Sequence, residues 1–257
     1  MSKWTAICLV AVLVCVSVCT FSERYYRPVE IAPFTAMVRP APEEPALPDA
    51  GLLCRYTFES NIVDMVSQQN TVDGMSLECT NGSLYLNGGY ECSNLRETFR
   101  ATVNVPKLDY RSLAVSLQFY PLAVRAREPI FMAGRSYRWF GVKVSESNTV
   151  AVSLNNGRQF FDLGINVPPR QWHHVACSLD LDSKVVRVVY DGELLPPVFL
   201  PDGFRLDVED AQDKEDTRQI TFTDYSCGEA FYGFVDNLRV YGKALNESDL
   251  LRLVERR

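Results

Sequence analysis

The sequence predicts an all-β fold, a two-sheet antiparallel sandwich closed by a short C-terminal helix. Three observations predict it. From Leu52 onward, short segments rich in β-branched and aromatic residues recur at close spacing, separated by Gly, Asn, Asp and Pro turn signals. Within the clearest of them apolar and polar residues alternate, the period of a strand with one buried face. No long helical period is interleaved with them, which excludes an alternating α/β arrangement. With 257 residues, 47% hydrophobic and 23% charged, the chain can bury one sizeable core. Its net charge of −6 is spread along the chain and lacks the basic footprint of a nucleic-acid binder, so nucleic acid is not an expected partner.

Residues 1–20 read as a signal peptide or membrane anchor. Lys3 precedes an apolar run from Trp4 to Val18, and Ser17 and Cys19 are small residues suited to a cleavage site. If retained, residues 4–21 carry no charge and reach the lower limit of a bilayer span, so they would tether the chain to a membrane. Residues 21–51 hold prolines at 28, 33, 40, 42, 45 and 48 and no apolar period, the composition of an extended Pro-rich linker. Residues 52–257 are the folded domain, expected to be secreted or extracytoplasmic.

In that domain Leu52, Cys54, Tyr56 and Phe58 alternate with Leu53, Arg55 and Thr57, the first strand. Leu84-Tyr85-Leu86 lies between Asn81-Gly82 and Asn87-Gly88-Gly89, turn signals that set short antiparallel strands. Further strands are expected at 90–94, 101–105, 112–120, 129–134, 139–145, 149–154, 158–163, 172–181, 184–190, 219–224 and 231–241. Asn155-Asn156-Gly157 and Asp191-Gly192 mark tight turns. Many short strands with such turns suit a sandwich or jelly roll.

The stretch Phe231 to Val254 ends the pattern. Phe234 to Tyr241 reads as a strand between Gly233 and Gly242, with Phe234, Asp236, Leu238 and Val240 on one mostly apolar face. After Gly242 the period turns helical, with Asn246 as N-cap, Asp249 at the third helical position, and Leu245 and Leu250 placed as a hydrophobic staple. The first strand needs a partner, and this closing strand is the best one available.

Leu53 to Asp64, Gly82 to Gly88, Trp172-His173-His174-Val175-Ala176, Val186 to Gly192 and Gly233 to Leu250 occur in the order seen in laminin-G-like, concanavalin-A-like jelly-roll domains, which residues 52–254 resemble. The resemblance implies two antiparallel sheets, neighbouring first and last strands, and a ligand surface on the loops or the concave sheet. It also implies that calcium at the sandwich rim is a candidate cofactor. Such folds host lectins, adhesion modules, glycan-binding appendages and some glycoside-cleaving enzymes, so function has to be argued from sites.

Calcium takes hard oxygen ligands. Glu59, Asn61 and Asp64 follow the first strand, and Asp236 lies on its expected neighbour, so these four are the candidate metal ligands. Sugars present apolar faces and a ring of hydroxyls, so they call for an aromatic ring beside polar groups. Arg135, Tyr137, Arg138 and Trp139 are the loop with that mixture and the candidate ligand-binding residues, suited to an anionic sugar or a protein partner. Glycoside cleavage needs paired carboxylates, and no strand carries acids at alternating positions. The acidic run Asp207 to Asp216 has almost nothing to bury and reads as a solvated loop.

His173 and His174 are the only histidines; at a strand start one points inward and the other outward, and the resemblance implies that this position is scaffold. Five cysteines lie beyond the leader: 54, 79, 92, 177 and 227. An odd number cannot pair completely, the outer strands of a meander carrying Cys79 and Cys92 are too far apart to bridge, and Cys54 and Cys177 suit buried positions. Asn81-Gly82-Ser83 and Asn246-Glu247-Ser248 are glycosylation sequons, the second expected to compete with the cap. The expected function is a non-catalytic binding module that recognises glycan, with protein–protein adhesion and then a glycoside-active enzyme as alternatives.

Overall fold

The computed structural model describes residues 50–59, 62–67, 72–73, 78–80, 82–87, 102–105, 108–134, 139–210, 218–224 and 229–254, all within the compact unit formed by residues 39–257. Thus the expected strand at 90–94, the proposed leader and residues 21–49 of the proposed linker lie outside the described residues. In chain order the strands are β1 (Leu52–Tyr56), β2 (Val72–Asp73), β3 (Glu78–Thr80), β4 (Ser83–Asn87), β5 (Thr102–Asn104) and β6 (Ser112–Pro121). They continue with β7 (Pro129–Ala133), β8 (Phe140–Val144), β9 (Thr149–Leu154), β10 (Gln159–Asn166), β11 (His173–Asp180) and β12 (Val185–Tyr190). The remaining ones are β13 (Glu193–Leu194), β14 (Val198–Phe199), β15 (Gln219–Thr221), β16 (Thr223–Asp224), β17 (Glu229–Ala230) and β18 (Tyr232–Tyr241), followed by helix α1 (Glu247–Arg252).

These strands make two antiparallel sheets and a small hairpin, β16–β17. The nine-stranded sheet runs β13-β12-β11-β6-β18-β4-β3, with β1 also on β18 and β14 also on β12; the seven-stranded sheet runs β10-β9-β8-β7-β15-β5-β2. Between them lies one large core, supplied by alternate residues of both sheets: Leu113, Val115, Leu117 and Phe119 from β6, Val175, Cys177 and Leu179 from β11, and Phe140, Val142, Val150, Val152 and Leu154 from β8 and β9. The all-β sandwich is therefore present, and first and last strands pair as expected, Cys54 opposite Val240 and Tyr56 opposite Leu238.

The face pattern expected for β18 is corrected by a bulge. Asp236 lies opposite Gln118 but Arg239 opposite Ser116, so an extra residue is accommodated between them, and Asn237 takes a left-handed φ of 48°. The alternation is reset there. Val235, Leu238 and Val240 face the inter-sheet core, whereas Phe234 and Asp236 do not share their face. Cys54 and Cys177 are buried thiols that burial pushes well above their ordinary pKa, and with Cys79 they are unbridged; Cys92 and Cys227 lie outside the described residues.

Helix α1 caps the nine-stranded sheet from outside. Asn246 accepts a hydrogen bond from the Asp249 amide at 2.9 Å, and Leu245 and Leu250 are both buried, so the cap and staple stand as expected. With Leu253 they pack on Ala114, Ala176, Val189 and Tyr241, a second, smaller core. The acidic run is not wholly solvated: Asp207–Asp210 forms a 3-10 turn that buries Val208 in the main core.

Candidate functional site on the outer face of the seven-stranded sheet

The turn Asn155-Asn156-Gly157 joins β9 to β10, with φ values of 50°, 59° and 82° that explain these residue types. Strand β10 then alternates strictly. Phe161, Leu163 and Ile165 pack against the core, so Phe160, Asp162 and Asn166 point away from it, on the outer face. Phe160 and Asp162, two positions apart, stand about 7 Å apart along that face.

Asp162 is held from beneath. Its Oδ1 accepts the Thr149 hydroxyl at 2.5 Å and the Gly164 amide at 2.9 Å, and Thr149 Oγ1 lies 2.5 Å from Ser145 Oγ. The hydrogen bond from Thr149, aided by Gly164 and Ser145 and opposed by slight burial, holds its carboxyl below the usual carboxylate range. Oδ2 takes none of these bonds. The result is a fixed, ionised carboxylate with one oxygen open to solvent.

Beside it Phe160 is 41% exposed, one of few large apolar side chains so placed among the described residues. The register carries its row across the sheet through Ser153, Gly141, Met132, Thr221 and Thr102. All of these are buried, so the row opens to solvent at Phe160. Aromatic ring and carboxylate together form a small shelf on the edge strand.

The residues singled out from the sequence go elsewhere. Trp139 is 1% exposed and stacks on Phe140 in the core, so it offers no ring face to a ligand; Arg135, Tyr137 and Arg138 lie outside the described residues. Asp64 is buried, and its oxygens accept the amides of Arg55 at 2.8 Å, Val66 at 3.0 Å and Ser67 at 2.9 Å. A cation at Asp64 would have to displace these donors. Burial pushes its carboxyl up, and the hydrogen bonds from Ser67, Arg55 and Val66 outweigh this, leaving it lowered.

Asp236 is buried and accepts the Asn237 amide at 2.6 Å within the bulge. Glu59 is exposed over the β3–β4 turn, where a Cβ on Gly82 would meet its Oε2 at 2.9 Å. Asn61 lies outside the described residues, and among the described residues no three His, Cys, Asp or Glu side chains are grouped to hold a metal.

The histidines divide between the faces as expected. His173 is buried between Phe119 and Tyr190, with Nδ1 2.7 Å from Asp191 Oδ2 and Nε2 2.8 Å from the Pro168 carbonyl; His174 Nε2 lies 2.9 Å from Ser116 Oγ. Both act as internal struts. A feature missed in the sequence is an aromatic row on the nine-stranded sheet, Tyr85, Phe234, Tyr120 and Trp172, with successive ring centroids 5.2, 6.2 and 5.6 Å apart. Only the register, not the sequence, brings β4, β18, β6 and the residue before β11 side by side. Phe160 and Asp162 were legible as outward residues of an expected strand, but not the hydroxyl pair beneath them.

A family model described as the concanavalin A-like lectin/glucanases superfamily, in its Laminin_G_3 form, matches residues 96–250. The chain belongs to the concanavalin A-like lectin/glucanase superfamily. No curated protein matches the sequence of this concanavalin A-like chain. Among solved structures it is similar to a Trypanosoma rangeli sialidase, with TM-score 0.58 and 15% identity over 81% of this chain and 33% of that one. It is similar to domain 4 of AbnA, an extracellular arabinanase from Geobacillus stearothermophilus in complex with arabinotriose, with TM-score 0.53 and 18% identity over 79% of this chain and 98% of that one. It is also similar to a botulinum neurotoxin type C structure, at TM-score 0.53 and 13% identity over 79% of this chain and 50% of that one. This chain spans a third of the sialidase's length, and at these identities the likeness is one of fold.

Proposed function

We propose that this concanavalin A-like domain is a non-catalytic glycan-binding module, secreted or held outside a membrane, and that it recognises sugar through the Phe160–Asp162 shelf. The observation that carries this reading is a carboxylate with one oxygen pinned by Thr149 and Gly164 and the other open, on the same outer face as an exposed ring. A pyranose has an apolar face for the ring and hydroxyls for the carboxylate, and a preorganised acceptor loses little entropy on binding. Two of the similar structures point the same way: the AbnA domain was solved with arabinotriose, and cell entry of the neurotoxin depends upon two ganglioside molecules.

Hydrolysis of a glycoside takes two carboxyl groups about 5 to 9.5 Å apart. Among the described side chains on the outer face of the seven-stranded sheet, Asp162 is the one carboxylate, which supports binding without cleavage. The test is a glycan array followed by calorimetry on the best ligand, with Phe160→Ala and Asp162→Asn. Each substitution should weaken binding about tenfold or more, the value of a lost charge-assisted hydrogen bond or stacking contact, with the melting temperature held. Unchanged affinity in the double variant, or no glycan bound by the folded protein, would overturn the proposal.

A further inference from the structure

The sequon Asn246-Glu247-Ser248 lies on the opposite side of the sandwich from Phe160, and the sequence suggested that its use would conflict with capping α1. The structure removes that conflict, because the two roles use different atoms. Asn246 Oδ1 accepts the Asp249 amide at 2.9 Å and the Ser248 hydroxyl at 2.7 Å, and its backbone carbonyl accepts the Leu250 amide. Among the described residues Nδ2 has no hydrogen-bond partner, and the residue is exposed. The hydroxyl that defines the sequon thus helps to hold the amide with its nitrogen turned to solvent.

We propose that Asn246 is an N-glycosylation site, acceptor of an oligosaccharide from a lipid-pyrophosphate carrier. In that transfer a C–N bond forms between Nδ2 and the anomeric carbon while the C–O bond to the pyrophosphate breaks. The lipid pyrophosphate leaves with the electron pair, and one Nδ2 proton passes to the transferase base. The product keeps the carbonyl oxygen, so the capping acceptor survives. It also keeps one N–H, which projects from a turn leading into a helix whose buried side, Leu250 with Leu245 and Leu253, faces the sheet. An oligosaccharide there extends from the side of the nine-stranded sheet on which α1 packs, away from Phe160. This inference stands independently of the glycan-binding proposal.

The experiment expresses the full chain behind an added secretory leader in a eukaryotic secretory host, so that the native leader is not at issue. The peptide containing Asn246 is then mapped by mass spectrometry, in secreted and cell-retained pools, after glycosidase release in heavy-oxygen water. A heavy-oxygen-labelled aspartate at position 246 is expected, lost in Ser248→Ala. Asn246→Asp should lose the glycan and keep the cap, whereas Asn246→Ala should lose both and melt about 2–4 °C lower. An unmodified Asn246 peptide in both pools would overturn the proposal, as would a glycosylated chain that melts like Asn246→Ala, since the cap would then be lost on modification.

Discussion

At Asp64 the main-chain amides of Arg55, Val66 and Ser67 converge on one buried carboxylate, tying the turn after β1 back onto β1 itself. Its folded pKa is depressed, so the stability it contributes is present above the unfolded value near 3.9 and is lost as pH falls through the lower folded value. Asp64→Ala should therefore cost about 1–3 kcal/mol near neutrality by orphaning buried donors, with the difference from wild type shrinking in acid. Urea melts across the acid range measure it; a deficit independent of pH would mean that packing, not charge, is lost. This role was half legible. The residue type and its position after a strand announced an oxygen-rich turn, and calcium was the natural reading, but the sequence does not show that three amides of its own chain arrive first.

Strand β18 shows what alternation alone misreads. A strict period of two places Phe234, Asp236, Leu238 and Val240 together, yet one residue in the left-handed region at Asn237 exchanges the faces halfway along. Asparagine tolerates that backbone, and here its side-chain amide also reaches Asp236 Oδ2 at 3.3 Å. Asn237→Gly should keep stability within about 1 kcal/mol, exchanging a weak hydrogen bond for conformational ease, whereas Asn237→Val should cost about 2 kcal/mol or more, because a β-branched residue is strained there. Chemical denaturation of the pair decides; equal losses would mean that the bulge moves when its asparagine is removed. Helix α1 was easier to read, since cap and staple are local to six residues.

Across the whole molecule, the sandwich was legible because it follows from where strands begin and end, and most of the described strands lie within a residue or two of their expected bounds. Sites were less legible because they depend on which strands become neighbours. Trp139 reads as a loop aromatic until the core closes over it, and Val208, inside an acidic run, is drawn into the core by a chain that crosses from one sheet to the other. The smaller core under α1 makes a further prediction. Leu250→Ala should cost about 2–5 kcal/mol, while Leu251→Ala, at a 41% exposed neighbour, should stay within about 0.5 kcal/mol. Thermal melts of the two compare directly, and equal effects would show that the helix is not docked on Ala114, Ala176 and Val189.

One edge of β18 is divided between two strands: β4 pairs with residues 232–235 and β1 with residues 238–241, and the bulge sits between these stretches. During synthesis this arrangement sets a waiting time. Strand β1 emerges from the ribosome well before its partner exists, and nearly two hundred residues separate the two, a long-range pairing that forms slowly. Until β18 arrives, β1, β4 and β6 all present unmatched backbone, the condition in which nascent chains associate with one another or are held by chaperones.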